Sequence, residues 1–162
     1  MEEKIVGFLY FLHKIFIKIS MVLVRNVMRR EVVTAKPDIT LKEASKVMTS
    51  LKIGSLIVAK EDKILGILTG TDVLKAVAAE KNVDSTLAEE IMCKDVVVID
   101  PDEKIEAAAD LMVKNRIKKL PVVESDKLIG IISASDIIAV EPKLVQSLSS
   151  LISIKVPGYS GG

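Results

Sequence analysis

Gly66-Ile67-Leu68-Thr69-Gly70-Thr71-Asp72 returns as Gly130-Ile131-Ile132-Ser133-Ala134-Ser135-Asp136, 64 residues further along (72 to 136). Each copy follows a short apolar run and opens an apolar-periodic segment, so each reads as strand end, tight turn and helix start. The register holds outward from the motif. Met28 matches Met92, Pro37 matches Pro101, Ala44 matches Ala108, Met48 matches Met112, Ile53 matches Ile117 and Lys63 matches Lys127. About 15 of the 50 residues from 25 to 74 recur identically 64 positions later, with no gap. A period of this length marks one structural unit used twice.

Within the first unit, Glu31 to Ala35 is a β-branched run stopped by Pro37 and Asp38, which predicts a strand and a turn. Thr40, with Glu43 three residues on, predicts a helix start. Leu41, Ala44, Val47, Met48 and Leu51 then mark the buried face of a helix to Lys52. Ser55 to Ala59 and Lys63 to Leu68, joined at Glu61-Asp62, predict an antiparallel hairpin, and a second helix follows from Gly70 to Lys81. The second unit repeats this: strand Val96 to Ile99, helix Lys104 to Asn115, hairpin Leu120 to Glu124 and Lys127 to Ile132, helix Ser133 to Val140. Between the units, Thr86 is expected to cap a short helix leading to Met92. After Pro142, Leu144, Leu148 and Leu151 mark a last short amphipathic helix, and Pro157 to Gly162 reads as a disordered tail. The fold class is α/β (α+β), with two β-α-β-β-α units. The expected organisation is an extension over 1–20, repeats over 21–82 and 83–141, and a C-terminal helix and tail over 142–162. Strands apolar on both faces imply small sheets covered by helices.

The chain has 162 residues, 49% of them hydrophobic and 28% charged, which is a globular composition able to bury a core. A net charge of +1 gives no global attraction to nucleic acid or anionic lipid. The single cysteine, Cys93, and single histidine, His13, leave no internal disulfide, no Cys/His metal cluster and no Ser-His-Asp relay. No metal or other cofactor is expected. The one Gln and three Asn, against abundant Ile, Val, Lys and Glu, lean toward a thermophilic source.

Residues 5 to 24 are apolar but interrupted by His13, Lys14 and Lys18, which argues against a membrane span, and no small-residue cleavage site follows. At helical spacing Ile5, Leu9, Leu12, Phe16 and Ile19 share one face, while Lys4, Gly7, Lys14 and Lys18 share the other. This predicts an amphipathic helix, resting on a partner surface or, less in keeping with the pattern, on a membrane. Met21 stands just before the repeated unit, so residues 1–20 also read as an upstream extension.

The repeated stretch carries the chemistry. A Thr or Ser at a strand end before a helix sets a hydroxyl and backbone N–H groups at the positive end of the helix dipole, where a phosphate binds. Asp72 and Asp136, one turn further, offer carboxylates that accept hydrogen bonds from a ribose cis-diol. Gly66 and Gly130 let another backbone, or a ligand, approach the strand. Together these features suggest a nucleotide. The same Thr/Ser-x-x-Asp spacing is also a capping box, which needs no ligand. Met28, Met48, Met92 and Met112 read as packing. Lys114, Arg116, Lys118 and Lys119, like Arg25, Arg29 and Arg30, read either as a solvated basic face or as phosphate contacts.

Residues 22 to 140 resemble a tandem pair of CBS domains, the modules named after cystathionine β-synthase. The resemblance rests on the Gly-h-h-Thr/Ser-x-x-Asp motif, the β-α-β-β-α order and the Leu120-Pro121-Val122 run. The first repeat departs from it, with Leu56-Ile57-Val58 in place of Leu-Pro-Val. The resemblance implies two repeats about a pseudo-twofold axis, two clefts for adenosine-containing ligands, and a disc-like homodimer. One cleft would use Thr69, Thr71 and Asp72 with Ile117, Lys118 and Lys119, and the other Ser133, Ser135 and Asp136 with Ile53, Gly54 and Ser55. The implied function is a cytoplasmic regulatory module that senses AMP, ADP or ATP and acts on a regulated protein. S-adenosylmethionine is the alternative ligand, and a scaffold without ligand the alternative role. No nucleophile–base pair is visible, so an enzyme is not expected.

Overall fold

The computed structural model describes residues 22–152. In chain order these form helix α1 (Val24–Val27), strand β1 (Thr34–Ala35), helix α2 (Leu41–Ser50), strands β2 (Ser55–Lys60) and β3 (Lys63–Thr69), helix α3 (Gly70–Ala78) and helix α4 (Ala88–Ile91). Helix α5 (Ile105–Asn115), strands β4 (Lys119–Glu124) and β5 (Lys127–Ser133), helix α6 (Ala134–Val140), a 3-10 turn (Pro142–Leu144) and helix α7 (Val145–Ile152) follow. The amphipathic helix expected over 1–20 and the tail expected over 157–162 lie outside the described residues.

The chain separates into two compact units that do not follow the repeat boundary: Arg29–Ile99 with Pro121–Ile131, and, among the described residues, 22–28, 100–120 and 132–152. In the first unit, β1 runs parallel to β2, with Thr34 opposite Ile57 and Ala35 opposite Val58. Strand β3 pairs antiparallel with β2, and an irregularity falls between Val58 and Ala59. Helix α2 starts on the expected capping box. Glu43 N–H donates to Thr40 Oγ1 at 3.2 Å, and Thr40 N–H donates to Glu43 Oε2 at 3.0 Å. The Thr40 N–H, and after it the Thr40 hydroxyl that donates to the same oxygen at 2.9 Å, hold the Glu43 carboxyl below its ordinary pKa. Leu41, Ala44 and Met48, on one face of α2, pack with Leu56, Val58 and Leu68 from the sheet and Ala76 from α3.

Each helix start is closed by the segment that precedes the other repeat. Over α2, Leu41 N–H donates to Thr86 O at 2.9 Å, Ala88 N–H to Ile39 O at 2.8 Å and Glu89 N–H to Pro37 O at 3.2 Å. In the second unit the same three bonds recur 64 residues on, by exchange. Ile105 N–H donates to Val22 O at 3.0 Å, Val24 N–H to Glu103 O at 2.8 Å and Arg25 N–H to Pro101 O at 2.9 Å. Arg25 Nε adds an ion pair to Asp102 Oδ1 at 2.6 Å, and this holds the Asp102 carboxyl below its ordinary pKa. This exchange ties 22–28 and 86–89 to the other repeat, and the bonds of Leu128 N–H to Asp62 O at 3.1 Å and of Arg29 with Ile131 at 2.9 Å tie Pro121–Ile131 to the first unit. In the second unit Ile105, Met112, Leu120, Ile132, Ile137 and Leu148 are the large fully buried side chains besides Val24.

Three expectations need correction. Thr86 is not the cap of α4. Leu87 is, and its N–H is met by Glu90 Oε1 at 2.7 Å, while Thr86 is buried with its carbonyl serving α2. The strand expected over Glu31–Ala35 is regular only at Thr34–Ala35. The strand expected over Val96–Ile99 reduces to one parallel bridge, Ile99 with Val122. Position 121 gives the reason: Ile57 pairs with Thr34, but its counterpart Pro121 has no N–H to donate to a second rung.

Both hairpin turns are two residues long and left-handed at both positions, Glu61 and Asp62 (φ 52° and 63°) and Ser125 and Asp126 (φ 50° and 63°). That is the turn matched to strand twist, and it favours Asn-Gly. Replacing Glu61-Asp62 by Asn-Gly is expected to raise stability by about 0.5–1 kcal/mol in urea melts, because Gly enters the left-handed region without a steric cost. No change in the urea midpoint would show that the first turn carries no strain.

Candidate functional site

Each motif copy is a strand end converted to a helix start by its own side chains. Thr69 closes β3 in an extended conformation (φ −110°, ψ 160°) and caps α3. Its Oγ1 donates to Asp72 Oδ2 at 2.6 Å and its N–H to the same oxygen at 2.9 Å, while Asp72 N–H donates to Thr69 Oγ1 at 3.2 Å. Ser133 does the same for α6 at φ −118° and ψ 160°. Its N–H donates to Asp136 Oδ2 at 3.0 Å, its hydroxyl donates to that oxygen, and Asp136 N–H returns a bond of 3.2 Å. Both copies are complete capping boxes.

The boxes differ in their second hydroxyl. Ser135 Oγ lies 2.9 Å from Ser133 Oγ. Since the one proton of Ser133 goes to Asp136, Ser135 is the donor there, which draws its hydroxyl into the box. Thr71 is exposed, and its hydroxyl stands outside the Thr69–Asp72 bonds. Helix α3 is also longer than α6, nine residues against seven.

Both copies bring together, inside one unit, residues far apart in sequence. Ser55 pairs with Thr69 across β2 and β3, and Gly70 N–H donates to Gly54 O at 3.1 Å. Ile53, Gly54 and Ser55 therefore adjoin Thr69, Thr71 and Asp72. Likewise Ala134 N–H donates to Lys118 O at 2.9 Å, which sets Ile117, Lys118 and Lys119 beside Ser133, Ser135 and Asp136. The first helical N–H of each copy is consumed by this closure, so the free donors expected at the helix start begin one residue later, at Thr71 and Ser135. Gly54 and Lys118 are exposed, and Ile53, Asp72, Ile117, Lys119 and Asp136 are half-buried.

Gly66 resolves differently from the ligand alternative. A Cβ there would sit 2.5 Å from Met92 Sδ and 2.8 Å from Cys93 O. Ile67 and Cys93 exchange both backbone bonds at 2.9 Å, and the counterparts Ile131 and Arg29 do the same. The glycine admits backbone. Met92 and Cys93 are thus structural neighbours of the motif that motif reading alone passes over, and the matched Met28/Met92 pair was the available signal. Cys93 is exposed, and among the described residues no group of three or more His, Cys, Asp or Glu could hold a metal. No described helix is long and apolar enough to cross a membrane.

The family model of the CBS domain matches residues 24–79 and again 88–143. The chain is similar to an uncharacterized protein of Methanopyrus kandleri, 39% identical over 77% of this chain and 65% of that protein. It is also 39% identical to a homoserine O-acetyltransferase of Methanosarcina acetivorans, over 75% of this chain but 22% of the enzyme. The chain thus spans less than two thirds of these relatives. Among solved structures it matches a CBS domain pair in complex with 5′-methylthioadenosine and S-adenosyl-L-methionine. The TM-score is 0.69 and the identity 30%, over 76% of this chain and 98% of that one.

Proposed function

The chain belongs to the CBS domain family, and on that premise we propose that it is a regulatory module binding an adenosine-containing ligand through its two motif copies. The observation that carries the reading is the pair of boxes, each seated against a strand-end loop, Ile53 to Ser55 or Ile117 to Lys119. In the first box Asp72 commits Oδ2 to the cap, so a ribose diol is met by its other carboxylate oxygen. Thr71 and Ser135 supply hydroxyls for phosphate. The ligands proposed are AMP, ADP and ATP. S-adenosylmethionine is the alternative, supported by the relative solved with that compound. Ligand occupancy biases the conformation presented to a regulated protein, and a homodimer is the proposed assembly.

The test is calorimetric and thermal-shift titration of the full chain with these four compounds, repeated on Asp72→Ala and Asp136→Ala. Each variant is expected to lose one site and about 1 kcal/mol of stability from its cap. A saturating ligand, at about 100 times its dissociation constant, adds about 2.7 kcal/mol to the parent. The completeness of the caps favours a second reading, a scaffold whose motifs only start helices. That reading is established if none of the four compounds shifts the melting of the parent.

A further inference from the structure

Helices α2 and α3 of the first repeat leave open a groove whose counterpart in the second repeat is filled. In the second unit, α7 packs on α5 and the 3-10 turn packs on α6, with Leu148 and Leu151 buried. Between α2 and α3 lie instead two adjoining hollows of about 480 and 450 Å³, which share Ser45, Thr49 and Val73. Ile137 is buried where Val73 is half-exposed, and Ile138 is half-buried where Leu74 is 69% exposed. Val77, one turn beyond Val73 on α3, is exposed as well. The hydroxyls of the groove are satisfied within α2, Ser45 Oγ donating to Leu41 O at 2.7 Å and Thr49 Oγ1 to Ser45 O at 2.8 Å, so neither needs a polar partner. An aliphatic strip left open in this way marks a docking surface.

The rim decides the charge of what docks. Lys42, Lys46 and Lys52 line the groove, and among its described lining residues there is no carboxylate. Lys42 is paired with Asp84 at 2.5 Å, which leaves Lys46 and Lys52, both exposed, as the cations that an incoming helix meets. Glu43, one turn before Lys46, gives its carboxylate to Thr40. The second repeat carries the opposite sign. Glu106 and Asp110 stand where Lys42 and Lys46 do, and Lys143 is the one charged residue of the cover over 142–152. A basic cover over an acidic helix in one repeat makes an acidic cover over the basic helix the complementary choice in the other. A second copy of this chain does not supply it. An isologous contact sets the same patch on both sides, so lysine would face lysine.

We propose that this groove docks an amphipathic helix of another protein, with aliphatic side chains at i, i+3 or i+4 and i+7 against Val73, Leu74 and Val77, and carboxylates on its flanks toward Lys46 and Lys52. Helix α2, at ten residues, extends about 15 Å, which seats about three turns of such a partner. The apolar anchors supply affinity, and the lysine rim supplies partner choice and orientation. This docking needs no ligand in either motif copy, so it is tested without nucleotide.

The experiment uses the full chain and two fluorescent, helix-stabilised synthetic peptides built on residues 142–152. Both keep Leu144, Leu148 and Leu151. The acidic peptide carries Lys143→Glu, Ser147→Glu and Ser149→Glu, and the basic peptide Ser147→Lys and Ser149→Lys. Anisotropy titration is expected to show the acidic peptide binding about tenfold tighter than the basic one, with the order reversed on Lys46→Glu/Lys52→Glu. Leu74→Asp is expected to weaken both peptides by about tenfold. All three substituted side chains are exposed, so the fold is kept. Equal binding of the two peptides overturns the proposal, and so does a preference that survives Lys46→Glu/Lys52→Glu. Sedimentation of the peptide-free parent and of Leu74→Asp is the second arm. A dimer that Leu74→Asp dissociates makes the groove a contact between copies and overturns the proposal, whereas an assembly unchanged by Leu74→Asp upholds it.

Discussion

Gly66→Ala is expected to lower the stability of the folded chain by about 2–3 kcal/mol, as an overpacked core position does. The added methyl meets Met92 Sδ at 2.5 Å, Met92 Cγ at 2.7 Å and Cys93 O at 2.8 Å. The thioether can swing aside. The carbonyl cannot, because it accepts the Ile67 N–H at 2.9 Å and yielding would break that bond and its reciprocal. Combining Gly66→Ala with Met92→Ala should therefore restore only part of the loss, read as the coupling in a double-mutant cycle. Full restoration would show that the side chain alone sets the constraint. Ligand affinity of Gly66→Ala should stay within about twofold of the parent, since the effect lies in packing, which separates this glycine from the binding residues.

Lys118→Ala/Lys119→Ala is expected to weaken ATP binding by about 10- to 100-fold while AMP binding falls by less than about threefold. A charge-assisted hydrogen bond contributes about 1.5–3 kcal/mol, and the added phosphates of ATP are where two lysines act. The contrast comes from the repeats themselves, because Gly54 and Ser55 hold the corresponding positions and offer no cation. Calorimetry of the double variant with both nucleotides reads the effect directly, and equal losses for AMP and ATP would sink the idea. Adding Asp72→Ala or Asp136→Ala to the lysine variant then shows which motif copy shares its ligand with the lysines. The copy whose loss is non-additive with theirs is the one.

Much of this was legible in the chain before any coordinates. A 64-residue repeat with matched Met, Pro and Gly positions specifies one unit used twice, and Thr69-x-x-Asp72 and Ser133-x-x-Asp136 are local signals that the structure realises as caps. Capping is a bond between residues three apart, so the sequence contains both partners. The helix over Leu41–Ser50 and both hairpins were legible for the same reason: their periodicities are set by neighbours along the chain.

Tertiary structure decided what depends on partners distant in sequence. The role of Gly66 was open between a ligand and a backbone until Cys93 came to lie against it. Thr86 carried the side chain of a cap, yet its place is buried beneath α2, and Glu90 does the capping instead. Pro121 interrupts a parallel ladder only because Ile99 runs beside it. The exchange of Val22–Met28 and Thr86–Met92 between repeats was hidden by the very symmetry that revealed the repeat, since a segment matched to its own copy fits either unit equally well by pattern. Local chemistry fixes where helices and strands begin. Which copy closes which helix is chosen by packing, where burying Val24 and Ala88 completely outweighs proximity along the chain.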